Sequence, residues 1–293
     1  MIHIPVLKKE TIKFLAPQKN QNFIDATLGF AGHSLEILNL TSPSGKLLGI
    51  DQDLEAIKAS KKNLDQFKNR VTFSHANFSE LEGIVEEWKV SRIDGILLDL
   101  GVSTYQLLSQ DRGFSFNISA PLDMRMNPDE QSLTAKEIVN RYSEKELSRI
   151  LFELGEERFA RRIARNIVEK RRMKPIEASD ELVQIIKVSI PPQKRFQRHH
   201  HFATSTFRAL RMEVNSELIN LEKALPQAVN LLSPGGRIVI ISFHSLEDRI
   251  VKNFFRENEN LEILTKKPII ASEQEIQENP KSRSAKLRAA VKR

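Results

Sequence analysis

Between residues 22 and 99, short apolar runs alternate with segments of helical periodicity. Asn22–Asp25 reads as a first strand that stops at Asp25, and residues 33–40 suit a short helix. Lys46–Asp51 is a second buried strand, and Leu54–Phe67 has helical spacing at Leu54, Ile57, Leu64 and Phe67. Val71–Ser74 gives a third strand. Ser79 with Glu82 forms a capping box for a helix to about Trp88, and Ile93–Leu100 is a strongly apolar fourth strand around Asp99. Near-continuous apolar strands alternating with helices predict an α/β fold, a parallel sheet covered on both faces.

The alternation breaks after the fourth strand. Residues 103–132 are irregular, with Gly113, Pro121 and Pro128. Thr134 with Glu137 and Ser143 with Glu146 predict two helix starts. Residues 156–172 read as one long amphipathic helix with Phe159, Ile163 and Ile167 on one face and Arg158, Arg161, Arg162 and Arg165 beside it. Residues 194–201 form a basic, His-rich loop, and 204–232 are helical. The α/β pattern resumes with the turn at 233–236, a fifth strand at Arg237–Ser242, and a helix over about 246–258 capped by Ser245 with Asp248. Possible last strands lie at Leu261–Thr265 and Ala285–Val291. A doubly wound domain of residues 1–104 and 216–293 is therefore expected, interrupted by a mainly helical insert at 105–215.

Composition narrows the chemistry. With 293 residues, 40% of them apolar and 28% charged, the chain suits a soluble globular protein, and a cytoplasmic one is the default. No apolar run approaches a membrane span, so no membrane partner is expected. The absence of cysteine excludes disulfides, Cys-ligated zinc and a thiol nucleophile, and no metal site is expected. The net charge of +7 is uneven. Residues 141–215 carry +7 and residues 281–293 carry +6, so the remainder is acidic. Two basic regions suggest surfaces facing a polyanion, although solvated faces would look the same.

The chemistry-bearing residues gather at predicted strand ends. Ile24 to His33 reads as strand, small-residue turn and helix, with Gly29, Ala31 and Gly32 able to approach a ligand closely. Its spacing departs from the dinucleotide G-x-G-x-x-G pattern, which disfavours a nicotinamide oxidoreductase. Asp51 ends the second strand, where a carboxylate can accept both ribose hydroxyls of a nucleoside. Phe78 is either a shelf for a base or a core residue. Asp99 sits at the carboxyl edge, either contacting a ligand or capping a turn. The 111–126 loop holds Phe114, Phe116, Arg112, Asp123 and Arg125, suited to stacking on bases and meeting phosphate, or to clamping the insert. Ser242 to Asp248 lacks the spacing and nucleophile elbow of a hydrolase triad, which leaves His244 as a pocket residue beside a helix cap.

Several blocks together resemble the bacterial small-subunit rRNA cytosine-N4 methyltransferase family. They include His3–Leu7, Asp25–Ser34, Gly95–Ser103, Arg112–Phe116, Pro121–Met126, Gly155–Ala160, Thr206–Arg211, Ile241–Val251 and Arg283–Arg288. The resemblance covers essentially the whole chain. It implies a Rossmann-like class I methyltransferase sheet, S-adenosylmethionine as donor, and methylation of the exocyclic N4 of a cytidine in the decoding centre of small-subunit rRNA, within an assembled or nearly assembled subunit. It implies donor contacts at Ala31, Gly32, His33, Asp51, Phe78, Asp99 and Gln106. Arg112, Arg125, Arg158, Arg162 and Arg165 stand as RNA contacts, and Asp99, Asp123 and His244 as candidates for handling the proton on N4. The chain departs from the family pattern with Ala31 in place of glycine, Thr104-Tyr105 in place of Ser-Pro, and His199 and His200 added before His201. A non-catalytic RNA-binding assembly factor with a vestigial pocket is the competing reading.

Overall fold

The computed structural model describes residues 4–196 and 201–293; His3, Arg198, His199 and His200 lie outside the described residues. Its elements run α1 (Lys8–Leu15), β1 (Phe23–Asp25), α2 (Gly32–Leu40), β2 (Leu47–Asp51), α3 (Leu54–Asn63), β3 (Val71–His75), α4 (Leu81–Trp88) and β4 (Gly95–Asp99). Seven helices follow: α5 (Thr104–Leu108), α6 (Ala135–Arg141), α7 (Glu144–Glu153), α8 (Ala160–Arg171), α9 (Ser179–Ser189), α10 (Pro192–Phe196) and α11 (Thr204–Asn215). Then come α12 (Glu217–Leu231), β5 (Arg237–Ser242), α13 (Ser245–Glu257), β6 (Leu261–Ile263), β7 (Ile269–Ile270), α14 (Glu273–Glu278) and β8 (Lys286–Lys292). Contacts divide the chain into one unit of residues 1–101 with 218–293 and a second of residues 102–217.

The first unit is the expected doubly wound sheet. Its strand order is β3-β2-β1-β4-β5-β8-β6, with β7 also pairing β8. The strands from β3 to β5 pair in parallel, and β8 runs antiparallel to β5. Both faces are buried. Ile24, Leu48, Ile96, Leu98, Ile238 and Ile240 pack with the apolar sides of α4, α12 and α13. The alternate residues Phe23, Leu47, Leu97, Val239 and Ile241 pack with α1, α2 and α3. Two buried faces account for strands that read as unbroken apolar runs. The strand order reverses between β1 and β4, and ligands of open α/β sheets bind outside the carboxyl ends of the strands at such a point.

Several local expectations need correction. The basic stretch 281–293 is no free tail. Residues 286–292 form β8, inside the sheet, and Arg288 is buried with its guanidinium on Asp248 at 2.6 and 3.2 Å. Of this stretch, Lys281, Arg283 and Arg293 keep exposed side chains beyond the strand. Ser79 does not cap α4, which starts after Glu80 without a side-chain cap; Asn77 instead caps a single turn of 3-10 helix ahead of it, Phe78–Glu80, its Oδ1 accepting the Ser79 N–H. His244, not Ser245, caps α13, with its Nδ1 accepting the Glu247 N–H at 3.4 Å and Glu247 Oε2 accepting the Phe243 N–H in return.

The second unit is helical around its own core of Leu147, Ile150, Ile163, Ile167, Leu182, Phe207 and neighbours. Here α8 begins at Ala160 rather than 156, because Leu154 and Gly155 form a turn and Glu156 follows it in a left-handed conformation at φ 51°. Arg158 therefore precedes the helix. The single helical stretch expected over 204–232 breaks at Ser216, which takes a left-handed conformation at φ 49°. Beside the break, Asn215 donates to the Met124 carbonyl and accepts the Met126 N–H, both at 2.8 Å.

Candidate active site

In the first unit the ends of β1, β2 and β4 place Asp25, Asp51 and Asp99 on one edge of the sheet. The turn after β1 carries Gly29 at φ 51° and Ala31 at φ 62°, and α3 steadies it from the side. Ser60 Oγ donates to the Gly29 carbonyl at 2.6 Å, and Asn63 Nδ2 to the Phe30 carbonyl at 3.1 Å. A left-handed alanine costs roughly 1–2 kcal/mol against glycine. Its buried methyl group returns about 0.8 kcal/mol of that, which makes Ala31 tolerable at a position where the resemblance leads one to expect glycine. Gly32 has no such latitude, since a Cβ there would lie 2.3 Å from Pro5 Cγ.

Asp51 faces this turn. Oδ2 accepts the Gly29 N–H and Oδ1 the Asp53 N–H, each at 2.8 Å. Burial pushes its carboxyl up to about 6, against the pull of those two N–H groups. Asp25 lies deeper, accepting the Ser34 hydroxyl at 2.6 Å and the Thr27 N–H at 3.2 Å. Burial also raises its carboxyl, and His33 and the hydrogen bonds oppose the rise. The sequence reading missed Asp25 and Ser34 as the floor of the site, although both lie inside the block it singled out.

His33 and Asp99 are the unusual pair. His33 is 5% exposed, and its Nε2 lies 3.5 Å from Asp99 Oδ2. Both ring nitrogens of His33, and Oδ1 of Asp99, are buried without a hydrogen-bond partner. Each orphaned polar group costs about 1–3 kcal/mol, which a fold rarely tolerates without a use for it. Phe78 sits on a single turn after β3 and packs partly against the core, so the shelf and core readings are compatible. His244 is buried. With Nδ1 committed to the cap, Nε2 lies 3.2 Å from Glu247 Oε1.

The remaining candidates lie in the second unit. Gln106 is buried in a capping box, its Oε1 accepting the Ser103 N–H at 2.9 Å. Thr104 and Tyr105 form the first turn of that helix. Arg112 donates to the Arg125 and Met126 carbonyls at 2.8 and 2.9 Å and lies over the Phe114 ring, which is core. Phe116 stacks on His201 with ring centroids 4.5 Å apart. Arg125 forks onto Asp123 with two 2.7 Å bonds and also reaches the Pro128 and Gln131 carbonyls. Burial would raise the Asp123 carboxyl, but the Arg125 guanidinium outweighs it and holds it below the usual carboxylate range. Arg112 and Arg125 thus brace the loop, whereas Arg158, Arg161, Arg162 and Arg165 keep exposed side chains.

The model of the MraW methylase family matches residues 1–293. The chain belongs to that family. It is 51% identical over 291 residues to the ribosomal RNA small subunit methyltransferase H of Kosmotoga olearia, covering 98% of this chain and 96% of the relative. The protein of the same name from Thermotoga neapolitana is 49% identical over 290 residues, covering 98% and 95%. Among solved structures, an rRNA methylase from Streptococcus thermophilus aligns over 100% of this chain and 98% of that one, with 10% identity and a TM-score of 0.45. Membership makes the protein an S-adenosylmethionine-dependent methyltransferase with a class I sheet, and the non-catalytic reading is not favoured. Among the described residues, no helix is long and apolar enough to cross a membrane.

Proposed function

We propose that this protein methylates the exocyclic N4 of a cytidine in the decoding centre of small-subunit rRNA, acting in the cytoplasm on an assembled or nearly assembled small subunit. The observation that carries the reading is the group of strand-end carboxylates beside the orphaned His33 and Asp99 atoms, in a chain of the methylase family. These residues fit a nucleoside-bearing donor. Asp51 offers a carboxylate to the ribose diol, Phe78 a ring face to the adenine, and Ala31, Gly32, His33 and Asp99 line the turn for the amino-acid end.

The donor supplies an electrophilic methyl group. Cytosine N4 is a weak nucleophile, its lone pair delocalised into the ring, so positioning provides much of the acceleration. As the N–C bond forms and the C–S bond breaks, N4 sheds a proton. Of the three candidates, Asp99 has an unpartnered carboxylate oxygen to receive that hydrogen. Asp123 is committed to Arg125 and held ionised, which suits a hydrogen-bond acceptor better than a proton acceptor. His244 has Nδ1 in its helix cap and its other ring nitrogen, Nε2, 3.2 Å from Glu247 Oε1, which leaves Asp99 the better candidate.

The insert, residues 105–215, recognises the RNA, and its exposed arginines meet phosphates. Calorimetry tests the donor: S-adenosylhomocysteine binds and NAD does not, and the reverse would overturn the choice. Replacing Arg158, Arg162 and Arg165 together by glutamate should weaken binding to small subunits and lower the log–log salt slope by about 2. Filter binding at several salt concentrations reads that slope, and an unchanged slope removes these arginines from the interface.

A further inference from the structure

The turn that carries Phe78 is held from outside. It is one turn of 3-10 helix, Phe78–Glu80, a conformation whose own hydrogen bonding is poor. On one side Asn77 accepts the Ser79 N–H at 2.9 Å and donates to Gln52 Oε1 at 2.8 Å. On the other side stands Gln227, from α12. Its Nε2 donates to the Ser79 carbonyl at 2.7 Å, and its Oε1 accepts the Glu82 N–H at 3.0 Å. A single amide thus bonds a carbonyl and an N–H three residues apart, closing the turn onto the start of α4. The Glu82 N–H is one of the helix-start donors that lack a partner within the helix.

The Gln227 side chain is itself fixed. Nε2 also donates to the Lys223 carbonyl at 3.0 Å, one turn back along α12. Further along the same helix, Asn230 Nδ2 donates to Glu82 Oε1 at 3.1 Å. The packing of α12 on the sheet is carried by Leu221, Ala224, Leu225, Ala228 and Val229, all buried, while Gln227 is half-exposed. Its amide is therefore not needed for the core, and its bonds go to the backbone that sets the Phe78 ring.

We infer that Gln227 is a positioning residue for the donor's base: it fixes the Phe78 ring against which the adenine lies. The inference rests on the proposed role of Phe78. It predicts a loss confined to the nucleoside end of the ligand. In Gln227→Ala, the Kd for S-adenosylhomocysteine and the Kd for adenosine should rise by the same factor, about five- to tenfold. The donor KM should rise with them, while kcat at saturating donor stays within about twofold. Gln227→Glu keeps an acceptor for the Glu82 N–H but loses the donor to the Ser79 carbonyl, so it should bind adenosine nearly as weakly as the alanine variant. Phe78→Ala is the companion measurement. If Phe78→Ala weakens adenosine and neither Gln227 variant does, the positioning role is overturned while the shelf stands. If Phe78→Ala itself leaves adenosine affinity unchanged, the shelf and the inference fall together. A lower kcat with unchanged Kd in the Gln227 variants would also overturn the inference.

Discussion

Asp51→Asn is expected to raise the Kd for S-adenosylhomocysteine by about 100-fold, and to make the ligand-free protein gain stability relative to the parent as pH rises from 4.5 to 7.5. The first effect follows from chemistry. An ionised carboxylate can accept two ribose hydroxyls, and hydrogen bonds to a charged group contribute about 1.5–3 kcal/mol each. An amide offers one acceptor oxygen and a mismatched donor. The second effect follows from the cost of the native charge. Burial pushes the Asp51 carboxyl from 3.8 up to about 6 in the folded protein. The folded state then holds more protons than the unfolded chain between about pH 4 and 6. Stability linked to this group is fully present below pH 4 and is lost as pH rises through 6, to a limit of about 3 kcal/mol. Asparagine has no charge to bury; its NH2 meets one of the two backbone N–H groups that the carboxylate accepts, but that cost does not change with pH. Urea unfolding of both proteins at pH 4.5 and 7.5 should show the variant gaining on the parent as pH rises. A difference that does not change with pH would contradict the buried-charge account, and unchanged ligand affinity would remove Asp51 from the ribose. Donor affinity of the parent should likewise fall below about pH 6, as the carboxylate is protonated.

Gly113→Ala is expected to destabilise the protein by more than about 3 kcal/mol through the helical unit. Gly113 has φ 68°, and a Cβ there would lie 2.1 Å from the Pro121 carbonyl oxygen and 3.3 Å from the Asp123 nitrogen. These are backbone atoms, and they cannot move aside as the end of a flexible side chain can. Pro121 pairs with Ala178, and the Asp123 carbonyl accepts the Ala135 N–H at 2.8 Å, so a shift there spreads into α6 and α9. Phe114, Leu122, Met124 and Met126 belong to that unit's core and would be displaced together. Gly235→Ala is the internal control. Gly235 also has a left-handed φ, 78°, but nothing lies within 4 Å of its added Cβ, so only the conformational cost of about 1 kcal/mol applies. Melting temperatures of the two variants should differ by about 4 °C or more, and equal values would refute the steric argument.

The sheet and the carboxylate edge were legible because one physical signal carries both. A strand buried on two faces reads as an apolar run, and Asp51 and Asp99 stand out where their runs end at the carboxyl edge of the sheet; Asp25 ends its run in the same way, but its role below the turn depends on Ser34 and Thr27. The insert's cofactor-independent details were not legible. Arg112 and Arg125 look like phosphate contacts until their guanidinium groups are seen on loop carbonyls and on Asp123. The basic stretch 281–293 read as a polyanion surface because local charge hides a partner 40 residues away, Asp248, that lets Arg288 lie inside a strand. Capping defeated the pattern ahead of α4 and at α13 for a related reason. A hydroxyl followed three residues later by an acid is a common cap, but Asn77 and His244 also place an acceptor at the right distance, one or two residues earlier. His33 gave no sign in the sequence of being unpartnered, since that depends on what every neighbouring element leaves unbonded.

The central claim is tested most directly by the product. Small subunits purified from cells that lack this enzyme are incubated with the protein and methyl-labelled S-adenosylmethionine, and the rRNA is digested to nucleosides. The account predicts labelled N4-methylcytidine, at a site in the decoding centre, formed about tenfold more slowly by Asp51→Asn at a donor concentration about ten times the parent's Kd. Label in any other nucleoside, or none at all from the parent protein, would contradict it.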